Sequence, residues 1–330
     1  MKQKIKNILK VFVFASIGII LFYLVYKDFD FNLIIKEISV LNWFWIILML
    51  LIGLISHIAR TIRWQMMLDD EKYKSRFSIT FLAILNGYFA NIAIPRLGEV
   101  TRCAIVSKYD KMSFSKVLGT MVSERVIDVV VLLLFTILAV SLQYPQLLSF
   151  VESTPGLAKN MKFLISPYFW IFLIFIFFAA ILFFYFLIKG RFNRYSIALK
   201  VLKFFKGFWS GIISLKNLKR PIYYVFLSLF IWACYFLMMY VGFFAFPGLS
   251  HLSIEAALFL FVAGSFGMVA PAPNGMGAYH FMIIQSLTIY GIEYSSAASF
   301  AFIYHTIMTI ELILLGLISF ILLPLFKEKK

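Results

Sequence analysis

The stretch Asn91 to Arg102 reads Asn-Ile-Ala-Ile-Pro-Arg-Leu-Gly-Glu-Val-Thr-Arg and lies within a strongly apolar sequence. Pro95 lacks an N–H and clashes with the preceding turn, and Gly98 permits backbone geometry that other residues resist, so the pair predicts a break in a helix. Three ionisable residues occur at this break: Arg96, Glu99 and Arg102. Irregular backbone and charges inside a bilayer are tolerated only against protein or water, and such charges mark transport paths or reaction sites. The stretch therefore predicts a functional site at a broken membrane helix.

The overall composition indicates an integral membrane protein. Hydrophobic residues make up 62% of the chain, charged residues make up 14%, and the mean hydropathy is +0.93. A soluble fold could not bury this much apolar surface. The sequence contains no polar block long enough for a separate soluble domain, so we expect residues 1–330 to form a single membrane domain.

A second break follows about 180 residues later, where Ala270 to His280 interrupts another apolar stretch. Its residues that favour a break are Pro271, Pro273, Gly275 and Gly277. Each break is expected to turn a re-entrant hairpin, over residues 77–106 and 254–290. The two hairpins fall in halves, about 43–142 and 222–323, that run in opposite senses. Paired broken helices in an inverted repeat point to a transporter site near the membrane midplane.

The predicted fold class is an all-α integral membrane protein with six transmembrane helices and two opposed re-entrant hairpins. The six predicted spans are Val11–Tyr26, Trp43–Ile62, Val117–Leu142, Pro167–Ile188, Ile222–Phe244 and Ala298–Leu323. Runs of about 20 apolar residues are long enough to cross the hydrocarbon core.

The distribution of basic residues predicts the orientation of the chain. Twenty-four of the 31 Lys and Arg fall in segments that this topology places inside the cell, including both termini. Residues 189–220 carry nine of them and no acid, with apolar residues at helical spacing, which is typical of an interfacial helix that binds anionic lipid. The net charge of +16 therefore requires no nucleic-acid partner. We expect a multi-pass protein of the cytoplasmic membrane.

Charged and polar residues near the two breaks are the candidate substrate-binding groups. They are Arg96, Glu99, Arg102, Glu124, Arg125, Asp128, Asn274, His280 and His305. Arg102 and Arg125 are expected to hold a phosphate, and the carboxylates to receive cationic headgroup parts or protons. His280 would make translocation depend on pH.

Structural roles remain open for several of these side chains. Glu124 and Asp128 could simply neutralise Arg102 or Arg125 in an ion network. Arg60, Arg63 and Trp64 are interpreted as anchors at the membrane interface, and His57 as a packing residue. Glu311 could pair with His280 or His305. The spacing of these residues does not favour a metal site, and we expect no cofactor.

Three motifs resemble the lysylphosphatidylglycerol synthase transmembrane-region family, also called flippase-like, over nearly the whole chain. They are Pro-Arg-Leu-Gly-Glu-Val-Thr-Arg at 95–102, Glu-Arg-Val-Ile-Asp at 124–128 and Pro-Ala-Pro-Asn-Gly-Met-Gly at 271–277. The resemblance implies a lipid-translocating membrane domain, which some members fuse to a cytoplasmic aminoacyl-transferase domain that we do not expect here. This sequence departs from the family pattern at His280 and His305, where the pattern has Glu and Arg, so a lysyl-lipid substrate does not follow.

The expected function is a lipid flippase or transporter that exposes a central polar cavity alternately to the two sides. One alternative is an intramembrane lipid-modifying transferase with Glu99 or Asp128 as general base, although the chain offers no nucleophile constellation and no nucleotide motif. Another is a transmembrane partner of a separate lipid or glycan synthase. Membrane lipids are the expected partners in every case, and a homo-oligomer remains open.

Overall fold

The computed structural model describes residue 16 and residues 18–70, 73–153, 218–270 and 272–329. These residues form helices and turns, with no β-strand among them. They belong to two compact units, one made of residues 1–142 with 218–330 and the other of residues 143–217. In the second unit, one helix is described, α7 (Tyr144–Ser153).

The helices of the first unit have these bounds in chain order: α1 (18–26), α2 (Asn32–Val40), α3 (Trp43–Leu68), α4 (Phe77–Ala93), α5 (Leu97–Asp110), α6 (Phe114–Leu142), α8 (Pro221–Ala245), α9 (Ile254–Val269), α10 (Ala278–Ile289) and α11 (Tyr294–Leu322). Short 3₁₀ turns lie at Pro273–Gly275 and Leu323–Leu325.

Four helices in the described part of the chain are long and apolar enough to cross a membrane. They are Trp43–Leu68, Phe114–Leu142, Pro221–Ala245 and Tyr294–Leu325. The all-helical membrane class is thus confirmed at this level. The predicted span Pro167–Ile188 lies outside the described residues, and so does most of the first half of Val11–Tyr26, so the count of six spans stays a prediction.

The first hairpin consists of α4 and α5, which pack against each other and are separated at the break that the sequence predicts. At this break, Arg96 adopts left-handed backbone geometry, with φ of 66°, whereas Gly98 does not. Gly98 is required for a different reason: a Cβ there would lie 1.9 Å from the carbonyl oxygen of Gly87 on α4. The side chain of Asn91 accepts a hydrogen bond of 2.7 Å from the Gly98 N–H, which closes the turn.

We expect Gly98→Ala to separate α4 from α5. The added methyl group would collide with backbone, which cannot rotate away, so the loss of stability should reach about 3 kcal/mol or more. Thermal unfolding of the purified protein in detergent measures this loss. Gly119→Ala is the matched control, because a Cβ at Gly119 meets nothing within 4 Å. Equal melting temperatures for the two variants would contradict the close approach.

The second hairpin consists of α9 and α10. The side chain of Ser253 caps α9 by accepting a hydrogen bond from the Ala256 N–H. The turn contains three residues with positive φ: Asn274, Gly275 and Gly277. A Cβ at Gly267 would lie 2.6 Å from the Cα of Tyr279, so the two helices meet at backbone distance. Pro271, one of the predicted breaking residues, lies outside the described residues.

Each hairpin packs against the last helix of the other half. α4 contacts α11, α9 contacts α6, and the corresponding helices α3 and α8 pack against each other. The turn Pro273–Gly275 of the second hairpin also touches α4. This reciprocal arrangement agrees with the predicted repeat, while the entry of the hairpins from opposite sides of a membrane stays a prediction.

The C-terminal tail is tied to the ends of the first hairpin. Arg76, just before α4, donates hydrogen bonds to the carbonyl oxygens of Lys327 (2.8 Å) and Tyr109 (2.7 Å). The Lys329 N–H donates to the Tyr109 carbonyl oxygen at 2.9 Å. Lys111 hydrogen-bonds the Glu328 carboxylate and thereby lowers its pKa, and Lys108 adds to this effect.

The tail should therefore be held less tightly in acid. Because the pKa of Glu328 is lowered in the folded protein, its contribution is complete above the usual glutamate pKa of about 4.3 and is lost as pH falls through the lower folded value. Spin labels at Ser113 and Lys327 should report a broadened distance distribution below about pH 4. Glu328→Gln should broaden the distribution at neutral pH as well. A narrow distribution in this variant would show that the backbone bonds alone hold the tail.

Candidate functional site

The interpretation of Arg60, Arg63 and Trp64 as interface anchors is wrong. Helix α3 continues to Leu68, six residues beyond the predicted end of the span, so Arg63 and Trp64 lie within the helix and not after it. Arg63 and Trp64 are fully buried, and Arg60 is 7% exposed. Both arginines point towards α6 because its carboxylates face them. The number of Lys and Arg assigned to the cytoplasmic side therefore falls by two.

Glu124 on α6 is the centre of the ion network. It is completely buried. Its Oε1 accepts hydrogen bonds from Arg60 Nε at 2.8 Å and from Arg63 Nη2 at 3.1 Å. Its Oε2 lies 2.8 Å from Arg102 Nη2 on α5. Arg125 Nη2 approaches Oε1 at 3.3 Å, so one carboxylate faces four guanidinium groups.

Asp128, one helical turn further along α6, extends the network to the second half of the chain. Its Oδ1 accepts a hydrogen bond of 2.8 Å from Arg63 Nη1, and its Oδ2 lies 3.1 Å from Arg125 Nη2. Arg63 Nη1 also donates to Ser228 Oγ of α8 at 3.2 Å. The indole N–H of Trp232 on α8 lies 3.4 Å from Asp128 Oδ1. We call these six residues the arginine cluster: Arg60, Arg63, Arg102, Glu124, Arg125 and Asp128.

Aromatic side chains contact three of the guanidinium groups, those of Arg60, Arg63 and Arg102. The Arg102 guanidinium lies 4.6 Å from the centroid of Trp64, within the range of a cation–π contact. The Trp64 indole N–H in turn donates to Thr120 Oγ1 at 3.1 Å. Arg60 Nη1 donates to the hydroxyl of Tyr88 on α4 at 3.0 Å. The cluster is thus fixed by α3, α4, α5, α6 and α8.

The arginine cluster has more cations than anions. Its four guanidinium groups face two carboxylates, which leaves an excess of two positive charges when all are ionised. Three buried nitrogens of the cluster have no hydrogen-bond partner in the described structure: Arg63 Nε, Arg102 Nη2 and Arg125 Nε. Arg102 Nη2 is close enough to Glu124 Oε2 for a hydrogen bond, but the angle between the groups is unsuitable for one. Donors of this kind are suited to the oxygens of a phosphate.

Arg96 and Glu99 lie outside the arginine cluster. Arg96 is exposed at the break between α4 and α5 and forms no ion pair with a described residue. Glu99 is half-buried one turn before Arg102, and its Oε2 is buried without a hydrogen-bond partner. Even when Glu99 is counted with the cluster, one positive charge remains unbalanced.

The candidate residues of the second half form a separate group, the histidine cluster, made of Asn274, His280 and His305. The two imidazole rings lie 4.7 Å apart. His305 Nε2 lies 2.9 Å from the Asn274 carbonyl oxygen, and His280 Nδ1 accepts from the Gly277 N–H at 3.2 Å. Both rings are buried, and the histidines therefore hold the turn of the second hairpin against α11.

The remaining expectations concern Glu311, metals and the basic segment. Glu311 forms no ion pair or hydrogen bond with His280, His305 or any other residue that the structure describes. In the described ranges, no three His, Cys, Asp or Glu side chains are grouped closely enough to hold a metal ion. Residues 189–217 of the predicted lipid-binding segment lie outside the described structure. Its interaction with anionic lipid stays a prediction.

Comparisons with known proteins identify the relatives of this chain. The family model described as "Lysylphosphatidylglycerol synthase TM region" matches residues 7–316. The chain is 24% identical over 317 residues to UPF0104 membrane protein MJ1595 of Methanocaldococcus jannaschii, covering 90% of each chain. It is 27% identical over 247 residues to UPF0104 membrane protein MJ1078 of the same organism, covering 73% of this chain and 98% of the relative. No solved structure matches the chain.

Proposed function

Because the chain belongs to the lysylphosphatidylglycerol synthase TM region family of membrane proteins, we propose that it moves a phosphate-bearing lipid across the cytoplasmic membrane. In this proposal the arginine cluster binds the phosphate of the headgroup. Both termini would be cytoplasmic, as the distribution of Lys and Arg predicts.

One observation carries the proposal: the guanidinium groups outnumber the carboxylates, and the Nε atoms of Arg63 and Arg125 are buried without a hydrogen-bond partner among the described residues. A network that served stability alone would gain from balanced charge, since unpaired buried charges are costly. Excess positive charge inside a membrane protein instead favours an anionic ligand. A phosphate can accept several bonds at once from guanidinium groups, which hold it more strongly than neutral donors would.

Glu124 and Asp128 have a defined part in this proposal. Without lipid they act as counterions that keep the four guanidinium groups close together. When a phosphate arrives, it shares these guanidinium groups with the carboxylates and removes the excess charge. The headgroup would enter from the side of Arg125, whose side chain is 40% exposed and is the most accessible of the four.

The alternative of a transferase has weaker support from the geometry. Asp128, one of the two residues considered as general base, is held by Arg63, Arg125 and Trp232. A carboxylate in several charge-assisted bonds is a poor proton acceptor, because accepting a proton breaks those bonds. Glu99 has a buried oxygen without a hydrogen-bond partner, so no nucleophile of the described chain is hydrogen-bonded to that oxygen.

Reconstitution tests the proposal directly. Purified protein is placed in phospholipid vesicles that contain a fluorescent phospholipid, and a membrane-impermeant reductant then bleaches the outer leaflet. Bleaching beyond half of the signal indicates movement of lipid from the inner leaflet. The control lipid is a fluorescent neutral glycolipid without phosphate, which should move much less. A new chemical product found by mass spectrometry, or bleaching equal to that of protein-free vesicles, would overturn the proposal.

A further inference from the structure

Glu311 is an acidic residue within the candidate membrane span Tyr294–Leu325. It is not part of the arginine cluster. It lies on α11, 17 residues after the first residue of the helix, and is half-buried. Both carboxylate oxygens face Gly53 of α3, at 3.4 Å from the position that a Cβ on Gly53 would occupy. The methyl group of Met238 on α8 borders the same point. The carboxylate therefore lies where three helices meet.

No cation of the described ranges neutralises this carboxylate. It forms no ion pair with any Lys, Arg or His of the described chain, and the ionisable group that interacts with it electrostatically is the hydroxyl of Tyr304 on its own helix. The neighbours from α3 and α8 are a glycine and a methionine. An ionised carboxylate in such surroundings is costly, whereas a carboxylic acid is not. A proton is therefore a more suitable partner than a metal ion, which would need several oxygen ligands.

Helix α3 connects this carboxylate to the arginine cluster. Gly53, His57 and Arg60 follow the spacing i, i+4 and i+7, which places them on one face of the helix. At 1.5 Å per residue, Gly53 and Arg60 are separated by about 10 Å along the axis. The two sites are thus two turns apart on a single rigid helix.

Polar side chains occupy the interval between the two sites. His57 is buried, and its Nδ1 has no hydrogen-bond partner among the described residues. Its ring lies 4.9 Å from the ring of Tyr88, and the Tyr88 hydroxyl accepts a hydrogen bond from Arg60. Tyr235 of α8 lies beside Tyr88. Tyr88 and His57 thus link the Arg60 guanidinium to the same face of α3 on which Gly53 contacts Glu311.

From this geometry we infer that Glu311 is a proton-binding site coupled to lipid binding at the arginine cluster. The inference rests on the proposed function and adds its source of energy, a proton gradient. One proton binds a carboxylate oxygen from one side of the membrane and leaves to the other side, and no other bond forms or breaks. A lipid with one negative charge and one proton would cross together without net charge.

The first test measures the proton itself and does not depend on lipid movement. Infrared difference spectra of the protein in lipid, recorded across a pH titration, should contain the carbonyl stretch of a protonated carboxylic acid. Glu311→Gln should lose this band, whereas Glu293→Gln, an exposed control just before α11, should retain it. Glu311→Asp should retain a shifted band. Persistence of the band in Glu311→Gln would overturn the assignment.

The second test measures coupling in the vesicle assay with a pH gradient across the membrane. The wild type should move lipid faster with the gradient, and Glu311→Gln should lose that stimulation while it retains movement without a gradient. If the wild type responds to a sodium gradient and not to pH, or if Glu311→Gln remains stimulated, the inference fails although lipid movement stands. If no lipid moves in any sample, the proposed function and the coupling both fail, and the infrared assignment of the proton stands separately.

Discussion

Arg102→Gln is expected to abolish lipid movement while the protein remains folded. Arg102 Nη2 lies 2.8 Å from Glu124 Oε2 without hydrogen-bond geometry, and the guanidinium stacks on Trp64. Its removal takes away a donor for the phosphate. A hydrogen bond to a charged group contributes about 1.5–3 kcal/mol, so binding of lipid should weaken by roughly 10- to 100-fold. Removing a cation from a cluster with excess positive charge should leave folding intact.

Arg96→Gln is the matched control for this prediction. Arg96 is an exposed arginine of the same hairpin, six positions earlier, and it pairs with no carboxylate of the described chain. The Arg96→Gln variant should therefore move lipid as the wild type does. The measurements are the vesicle assay and native mass spectrometry of co-purified phospholipid. Equal loss in both variants would indicate a general effect of hairpin charge and would remove the specific role of Arg102.

Glu124→Gln is expected to have the opposite effect and to unfold the protein. The substitution leaves four guanidinium groups with Asp128 as their one ionised partner in the cluster. Breaking a buried ion pair from one side costs about 3–5 kcal/mol, and Glu124 pairs with several cations at once. Thermal unfolding and size-exclusion chromatography in detergent measure this loss. Glu293→Gln is the exposed control, and its melting temperature should not change.

The double variant Arg102→Ala with Glu124→Gln separates structure from function. If Glu124 acts as a counterion, removing one cation together with the acid should restore part of the stability. Lipid movement should stay absent, because Arg102 would still be missing. Restored movement in the double variant would instead show that the two residues merely balance each other, which is the structural alternative that the sequence leaves open.

Sequence patterns predicted the positions of both helix breaks because they depend on local chemistry. Pro95 and the turn around Asn274 interrupt helices whatever surrounds them, and the structure confirms both interruptions. The requirement for glycine at position 98 could not be predicted in the same way. Its requirement comes from Gly87, which lies on another helix, and contacts of this kind are set by packing.

For two of the four arginines in the cluster, Arg60 and Arg63, the sequence pattern predicts the wrong location. Arg60 and Arg63 follow an apolar run, where arginines commonly anchor a helix at the interface. A signal was nevertheless present: they are three positions apart and thus share a helix face, and Glu124 and Asp128 share a face of α6 with the opposite charge. The pairing of α3 with α6 turns these two patterns into one site, and the sequence does not specify which helices pair.

The reciprocal packing of each hairpin on the distant helix of the other half has a consequence for biosynthesis. Ser319 donates a hydrogen bond of 2.6 Å to the Leu82 carbonyl oxygen, so α4 finds its partner after more than 200 further residues have been synthesised. Contacts between such distant segments form late in folding. Until α11 has been synthesised, the face of α4 that packs on it has no partner in the chain. The N-terminal half therefore reaches its final packing only after the C-terminal half has been made.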